Sequence, residues 1–262
     1  MGKNATITLL VFCLTGSFAV VGSTQADIPT SGLVAYWEGE NTAADSIGSH
    51  DGALGGGADY AAGNYGQGFR FNGNDEVVSV LHNVDLQPTS ITIGAWIQTG
   101  STGTQLIVDK SHGTGNNGWA LQTGSGVARF AYGNGDNFSD ELVGSTNIAD
   151  NSFHHVAVTL DDAANEMRMY IDGVEEAASP LTYNGTPTGN TRAVHIGAWW
   201  NQTVDTLYTR EFVGVIDDVA IYNRALSQSE VVQLMTHSVP EPGGLLVCLG
   251  ALVGLGIRRR RI

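Results

Sequence analysis

Alternation of apolar and polar residues is the main pattern in the central part of the chain. A period of two places every second side chain on one face of a β-strand, so each apolar set predicts a half-buried strand. The clearest sets are Ile91, Ile93, Ala95 and Ile97; Val156, Val158 and Leu160; and Met167, Met169 and Ile171. No repeat of fixed period and no Pro-rich linker interrupts residues 27–238, which predicts one domain.

Clusters of Gly, Asn, Asp and Ser between these strands predict turns. Asn72-Gly73 and Asp172-Gly173 predict hairpins, because both central residues of the favoured two-residue turn need positive φ. One short helix is predicted where Ser227 and Glu230 form a capping box ahead of apolar residues. Many short strands without alternating helices favour an all-β antiparallel sandwich over a parallel α/β sheet.

The first 26 residues have the three parts of a signal peptide. Lys3 precedes an apolar stretch at 7–21, and Thr24 and Ala26 are the small residues that a signal peptidase requires. We therefore predict cleavage after Ala26, with residues 1–26 as the signal peptide. A retained N-terminal anchor is the alternative, but the apolar run is short compared with the ~20 residues of a membrane span.

The last 24 residues, 239–262, also have three parts. Pro240, Glu241 and Pro242 precede an uncharged apolar stretch at 243–257 and four arginines at 258–261. The arginines favour the cytoplasmic side of a membrane, so the rest of the protein would lie outside. The order and position of these parts resemble the PEP-CTERM sorting signal, which implies transient membrane anchoring by residues 243–257 and recognition by an exosortase. An ordinary tail anchor is the alternative.

Charge content narrows the classes of partner, and cysteine content bears on how the domain is stabilised. Between residues 27 and 238, seven basic residues stand against twenty-five acidic ones, a net charge of −18. Such a surface repels phosphate backbones, so we expect no nucleic-acid partner. Cys13 and Cys248 both lie in the terminal apolar segments. The domain at 27–238 therefore contains no disulfide, and its stability depends on packing and on any bound ion.

Patterns typical of catalysis are missing from the sequence. Glu38 and Glu40 alternate as two carboxylates of a glycosidase would, but no third acid completes the pattern. No Gly-x-Ser-x-Gly elbow occurs. His154 and His155 are adjacent on a predicted strand and would point to opposite faces, so they cannot bind one metal together. We predict no catalytic residues and expect that the protein is not an enzyme.

Two adjacent aromatic residues are the candidates for ligand binding. Trp199 and Trp200 lie between Gly197 and Asn201, where a strand is predicted to end and a loop to begin. An exposed indole is a common platform for the face of a sugar ring. Packing of one or both rings in the core is the alternative.

Seven short segments, taken in order, resemble the laminin G-like (LamG) domain of the concanavalin A-like lectin/glucanase superfamily. They are GLVAYW at 32–37, DSIG at 45–48, GFRFNG at 68–73, IGAWI at 93–97, FHHVA at 153–157, YIDG at 170–173 and FVGVIDDVAIYNRALS at 212–227. The resemblance covers roughly residues 32–234 and implies a two-sheet antiparallel jelly roll over 27–238. Phe153 departs from the Trp found in many members at this position.

The same resemblance implies a structural calcium ion where the first loop meets the last strand. Carried over to this chain, it suggests Asp45, Asp217 and Asp218 as side-chain ligands, with Asn41 and His50 giving backbone oxygens. Carboxylates and loop carbonyls are the oxygen ligands that calcium prefers. The alternative is that these carboxylates only accept hydrogen bonds from neighbouring backbone amides, and no EF-hand loop is present to decide between the two.

These observations together predict a protein exported across the inner membrane to the cell surface or extracellular matrix. We expect a non-catalytic module that binds an extracellular glycan or a matrix protein. The alternatives are a glycoside hydrolase or lyase of the same superfamily, with Glu38 and Glu40 among its acids, and a purely structural matrix protein.

Overall fold

The computed structural model describes residues 28–111, 117–136, 138–201 and 207–236. The predicted signal peptide and the predicted sorting tail with Pro240, Glu241 and Pro242 lie outside these residues. Within the described ranges, no helix has the length and apolar character that crossing a membrane requires.

Two antiparallel sheets and one small hairpin make up the β structure, which confirms the predicted all-β sandwich with a jelly-roll architecture. The nine-stranded sheet contains β1 (Leu33–Trp37), β3 (Asp59–Ala62), β4 (Gln67–Asn72), β6 (Ile91–Gln98), β11 (Phe153–Asp161), β12 (Glu166–Ile171), β13 (Val174–Glu175), β14 (Leu181–Thr182) and β18 (Val213–Tyr222). The seven-stranded sheet contains β2 (Gly52–Gly55), β5 (Val77–Val80), β7 (Gln105–Asp109), β8 (Asn117–Gly124), β9 (Val127–Asn134), β10 (Phe138–Val143) and β15 (Val194–Ile196). The hairpin consists of β16 (Trp199–Asn201) and β17 (Leu207–Thr209), and helix α1 spans Gln228–Thr236.

The core lies between the two sheets. The three apolar sets predicted from the alternation all face it, as does Trp37 on β1. The seven-stranded sheet contributes alternate residues such as Val78, Trp119 and Phe130 from the other side. Burial of a large apolar side chain contributes roughly 1.5–3 kcal/mol, so this layer is the main source of stability in a domain without a disulfide.

Helix α1 covers the outer face of the nine-stranded sheet. Val231 and Leu234 pack there with Tyr36, Tyr170 and Tyr222, whose strand neighbours point into the core. The predicted capping box is confirmed: the backbone N–H of Ser227 donates to Glu230 Oε2 (2.9 Å), and the Glu230 N–H donates to Ser227 Oγ (3.4 Å). Local sequence therefore fixes where this helix begins.

The two predicted hairpin dipeptides have different outcomes. Asp172 and Gly173 both have positive φ, 51° and 76°, and join β12 to β13 as predicted. The prediction for Asn72-Gly73 is wrong, because β4 belongs to the nine-stranded sheet and β5 to the seven-stranded one. The chain reverses there between sheets, so a turn dipeptide at this point does not connect two paired strands.

Strand β18 changes its neighbour halfway along. Its first part pairs with β4 through Val213–Ile216, and its last part pairs with β1 through Val219–Tyr222. Asp217 and Asp218 lie between the two, at an irregularity in the pairing with β6, and Asp218 has a φ of 52°. The change of neighbour creates a notch in the sheet that is lined by these two carboxylates.

Candidate functional site

The buried pair Asp217 and Asp218 forms the acidic centre of this notch. Asp217 has no exposed surface, and its Oδ2 accepts hydrogen bonds from the backbone N–H groups of Asn64 (2.8 Å) and Tyr65 (3.2 Å). Its Oδ1 is buried and has no hydrogen-bond partner among the residues that the structure describes. Asp218 Oδ1 accepts a 2.6 Å hydrogen bond from the Tyr36 hydroxyl. One carboxylate oxygen in this centre is therefore left without a donor, which is uncommon for a buried polar atom.

The loop before β4 closes over these carboxylates. A Cβ on Gly63 would collide with Asp217 Oδ2, so a glycine lets the loop approach. Glu40 Oε1 accepts a 3.0 Å hydrogen bond from the Gln67 N–H, which brings a third acid to the same loop. The Tyr65 hydroxyl reaches the carbonyl of Met235 at the end of α1 (3.4 Å). The acidic centre is thus enclosed by β1, β18, the loop and the helix.

Burial raises the pKa of both Asp217 and Asp218 well above the usual range of a carboxyl group. The negative charge of Asp218 adds to the rise at Asp217, and the charges of Glu38 and Glu40 add to the rise at Asp218. The protein environment therefore disfavours two ionised carboxylates here. A bound cation would reverse that preference.

The other two predicted metal ligands have different surroundings. Asp45 is buried, and its two oxygens accept from the N–H groups of Tyr36 (3.0 Å), Ile47 (3.2 Å) and His50 (3.1 Å). Burial opposes ionisation of Asp45, but these hydrogen bonds outweigh it and lower the pKa. Asn41 is exposed and has a φ of 54°. Asp45 has the surroundings of a residue that anchors the loop after β1.

The described residues bring few metal-ligating side chains together at any one point. Within them, no group of three or more His, Cys, Asp or Glu side chains is placed to hold a metal ion. Any cation at Asp217 and Asp218 would need backbone carbonyls or water for its remaining ligands.

The predicted aromatic platform lies on the β16–β17 hairpin. Trp199 pairs with Thr209 and is half-buried; the side chain of Trp200 lies outside the described residues. The guanidinium of Arg210 lies over the Trp199 ring, 5.3 Å from its centroid. One face of this indole is therefore covered by a cation, and the two residues form one amphipathic unit.

A second polar cluster lies on the outer face of the seven-stranded sheet, and sequence analysis did not predict it. Asp109 and His195 are directly paired across β7 and β15, and Ser79 on β5 continues the row. Their strand neighbours Val108 and Ile196 point into the core, so this row points outward. Asp109 and His195 are nevertheless buried.

Buried charge distinguishes this cluster from an ordinary sheet surface. Burial raises the pKa of Asp109 to about 7, although Arg210 and Arg192 act in the opposite direction. Burial, reinforced by the charge of Arg192, lowers the pKa of His195 to about 4. Lys110 is fully buried, and its ammonium contacts His82 Nδ1 (3.0 Å) and donates to the Arg192 carbonyl.

Only the fold brings this cluster together. Asp109-Lys110 ends an apolar strand and gives a weak signal of buried charge, since such residues seldom follow a fully buried run. Arg192, His195 and Arg210 have no pattern in the sequence that links them to β7. Hydrogen bonds provide the link: the Leu106 N–H donates to the Arg210 carbonyl (2.9 Å).

Solved structures with a similar fold include several binding domains. The binding domain of Paraclostridial Mosquitocidal Protein 1 has a TM-score of 0.63 and 18% identity, covering 78% of this chain and 52% of that one. Domain 4 of AbnA, a GH43 extracellular arabinanase from Geobacillus stearothermophilus solved with arabinotriose, has a TM-score of 0.61 and 21% identity, covering 78% and 98%. A botulinum neurotoxin type C structure, whose cell entry depends on two ganglioside molecules, has a TM-score of 0.59 and 15% identity, covering 78% and 50%.

At such low identities, the TM-scores show a shared fold and nothing beyond it. The chain spans about half the length of the mosquitocidal and botulinum structures that it matches. No curated protein matches the sequence. The Laminin_G_3 family, described as part of the concanavalin A-like lectin/glucanases superfamily, matches residues 71–232, which is more than half of the chain. The chain therefore belongs to the Laminin_G_3 family of the concanavalin A-like lectin/glucanases superfamily.

Proposed function

We propose that this protein is an exported, non-catalytic module that binds an extracellular glycan or a matrix protein. The observation that carries the proposal is the amphipathic Trp199–Arg210 unit beside the buried polar cluster on the outer face of the seven-stranded sheet. An aromatic ring beside an exposed guanidinium suits a sugar, because the ring contacts C–H groups and the guanidinium of Arg210 donates to hydroxyls.

The similar structures support this proposal by analogy of fold. One of them is a toxin binding domain, another is an arabinanase domain solved with arabinotriose, and a third belongs to a toxin that depends on gangliosides. Function belongs to sites rather than folds, so the ligand class must be tested on this chain.

The test is binding of the purified protein to an array of saccharides and matrix proteins. We expect at least one ligand, with an affinity that falls at least tenfold in Trp199→Ala, because an aromatic platform contributes more than 1.4 kcal/mol. Tyr60→Leu, a half-buried aromatic on the nine-stranded sheet, is the matched control and should bind normally. An array without any hit, or equal binding by Trp199→Ala, would refute the proposal.

An enzymatic function is the second candidate, because paired carboxylates with raised pKa values are typical of acid–base sites. Against it, Asp217 has no exposed surface, and the loop amides of Asn64 and Tyr65 occupy one of its oxygens. We therefore expect no turnover of common polysaccharides. Turnover that is lost in Glu40→Gln or Asp218→Asn would establish the enzyme instead.

We also propose a structural calcium ion in the acidic centre. Asp217 and Asp218 fit this role, because one Asp217 oxygen has no donor and burial disfavours two uncompensated charges. Asp45 fits it less well, since both its oxygens already accept hydrogen bonds. A bound calcium would supply the positive charge that allows both carboxylates to ionise.

Removal of calcium tests this part. A chelator should lower the melting temperature of the wild-type protein and should have no further effect on Asp217→Asn. Asp59→Asn, an exposed acid on β3, should respond like the wild type. The calcium proposal fails if chelator leaves the wild-type melting temperature unchanged, or if metal analysis finds no calcium.

Delivery to the cell surface or matrix is proposed on the terminal segments alone. Mass analysis of the mature protein should show an N-terminus at Asp27 and loss of the tail near Pro240, Glu241 and Pro242 in cells with an exosortase. An intact tail in such cells would rule out sorting by this route.

A further inference from the structure

A groove of about 580 Å³ lies beside β1, between this strand and the short 3-10 turn Val84–Leu86. Apolar side chains of the strand, of the turn and of the chain after the turn form its walls: Leu33, Val34, Val84 and Pro88. None of the described residues that line it is Trp, Tyr or Phe, so it offers no platform for the face of a sugar ring. The groove shares no residue with the Trp199–Arg210 unit and is a separate place of contact.

His50 is held rigidly in the wall of this groove. Its Nδ1 lies 3.2 Å from Asp45 Oδ2, and its carbonyl accepts from Trp37 Nε1 (2.8 Å). An ionised carboxylate only accepts hydrogen bonds, so Nδ1 is the donor and Nε2 of the neutral ring is an acceptor. The side chain is 9% exposed, and Nε2 has no hydrogen-bond partner within the described part of the chain. A buried acceptor of this kind costs free energy until a donor reaches it.

The outer edge of β1 is open at the groove. Among the described strands, β1 pairs with β18 alone. Away from the groove, the loop after β1 covers this edge: the Tyr36 N–H donates to Asp45 Oδ1 (3.0 Å), and the Tyr36 carbonyl accepts from the Ser46 N–H (2.9 Å). Val34 lines the groove and has no partner in the register with β18, because the pairing shifts at this residue. An open strand edge can accept an extended peptide as an additional strand.

Two large apolar side chains project from the surface beside the groove. Leu81 is 84% exposed and Val84 is 73% exposed, the highest values among the large apolar residues that the structure describes. Leu81 follows Val80, which pairs with Gly52 close to His50. Apolar side chains this exposed, gathered at one groove, indicate a contact surface.

The charge around the groove is negative. Asp85 is exposed in its wall, and Asp51 follows His50 in the chain. Arg224, adjacent in sequence to a lining residue, is paired with Glu230. Because the domain has a net charge of −18, a second copy of the chain and an anionic membrane are both repelled. A hydrocarbon surface also has no N–H to donate to His50, whereas a polypeptide with basic residues supplies both the donor and the charge.

We propose that this groove binds an extended segment of a partner polypeptide, in which an apolar side chain lies between Val84 and Pro88 and is flanked by lysine or arginine. A backbone N–H of the segment donates to His50 Nε2, and the segment runs beside the open edge of β1. Its basic residues face Asp85 and Asp51. A polypeptide ligand at a second site goes beyond the proposed function.

The experiment measures binding of the purified full-length chain to an array of nine-residue peptides. In each peptide valine, leucine or isoleucine alternates with threonine between terminal lysines; a second set has glutamate in place of lysine. We expect the lysine set to bind, and the glutamate set to bind at least tenfold more weakly. Val84→Ser should weaken binding about tenfold, equivalent to ~1.4 kcal/mol, because an apolar contact is lost. Val174→Ser changes a similarly exposed valine on β13 and is the matched control, expected within twofold of the wild type.

Methylation of single backbone nitrogens in the best peptide tests the role of His50. At one position it should weaken binding to the wild type about tenfold, since it removes the N–H that reaches Nε2. The same methylated peptide should lose nothing further on His50→Phe, which keeps a ring without the acceptor. Melting temperatures of the variants separate a folding defect from a binding defect.

The proposal is wrong if no peptide binds, if Val84→Ser and Val174→Ser behave alike, or if His50→Phe responds to methylation as the wild type does. Self-association of the wild type that Val84→Ser abolishes, measured by sedimentation, would place a second copy in the groove and overturn it. Binding to phosphatidylcholine vesicles in place of peptides would also overturn it. A saccharide ligand that depends on Trp199 would leave the proposed function standing in each of these cases.

Discussion

At the scale of single residues, two adjacent histidines have opposite environments. His155 is buried against Trp96, with ring centroids 5.4 Å apart, and burial lowers its pKa to about 4. His154 contacts Asp172 (2.8 Å) and Asp150 (3.2 Å), and these carboxylates raise its pKa although burial acts against them. The strand alternation predicted from the sequence is the reason, because it sends the two rings to different faces.

We predict that His155 makes the fold sensitive to acid. Its folded pKa lies below the unfolded value near 6.5, so the unfolded chain binds more protons, and stability falls as the pH decreases from 6.5 to 4. The loss is about 3 kcal/mol for a shift of this size. His155→Leu should therefore show a flatter decrease than the wild type when the free energy of unfolding is measured across this range.

The neighbouring histidine provides a control of opposite sign. A raised folded pKa adds stability that is fully present below pH 6.5 and is lost as the pH rises through the folded pKa, so His154→Gln should lower the free energy of unfolding below pH 6.5 without changing its slope between pH 6.5 and 4. Equal pH profiles for the wild type and His155→Leu would contradict the assignment.

Some of these residues could be singled out from the sequence and others could not. Asp217 and Asp218 belong to the contiguous segment 212–227 that carries the family resemblance, and the opposite faces of His154 and His155 follow from a period of two. Arg210 and Asp109 do not, because their proximity depends on how β7 and the residues after β17 are placed in three dimensions. An orphaned oxygen such as Asp217 Oδ1 also depends on the neighbours that the fold provides.

At the scale of secondary-structure elements, α1 packs on the outer face of the nine-stranded sheet and also contacts the acidic centre through the Tyr65 hydroxyl. We predict that Ser227→Ala lowers the free energy of unfolding by about 1 kcal/mol, because it removes the cap. Leu234→Ala should cost more, about 2–5 kcal/mol, because Leu234 is buried on the sheet. Denaturant unfolding measures both.

The same helix offers the comparison that this prediction needs. Val232 is partly exposed, and Val232→Ala should cost less than either of the other changes. A loss for Val232→Ala as large as that for Leu234→Ala would mean that the helix does not pack through the predicted face.

Elements with a strong local signal were predictable, and pairings were not. The capping box and the Asp172-Gly173 hairpin are each decided by a few adjacent residues. Asn72-Gly73 shows the limit: the dipeptide specifies a reversal of the chain, whereas the partner of each flanking strand depends on contacts far away in sequence.

At the scale of the whole molecule, the protein is strongly acidic. Its net charge of −14 repels a polyanion at long range. The screening length falls from about 30 Å at 0.01 M salt to about 8 Å at 0.15 M. We therefore predict that any acidic polysaccharide that binds this protein associates faster as salt increases over this range, measured by stopped-flow or surface-based kinetics.

The usual behaviour of a basic protein with a polyanion is the reverse, which makes the sign informative. Any neutral saccharide ligand should associate at a rate independent of salt. A steady decrease in the rate for an acidic polymer from the lowest salt would contradict the prediction, because it would show long-range attraction.

The packing of α1 determines how the domain would be oriented if it were attached to a surface. Ile28, at the start of the described chain, packs on the outer face of the nine-stranded sheet together with Val231 and Leu234. Both ends of the described domain therefore leave the sandwich on that side. Arg210, with its guanidinium over Trp199, is joined instead to the seven-stranded sheet, because its carbonyl accepts from the Leu106 N–H on β7. A cell wall or polymer joined to either end would therefore hold the domain by the helix-covered face of the nine-stranded sheet, with the seven-stranded sheet turned away from the support.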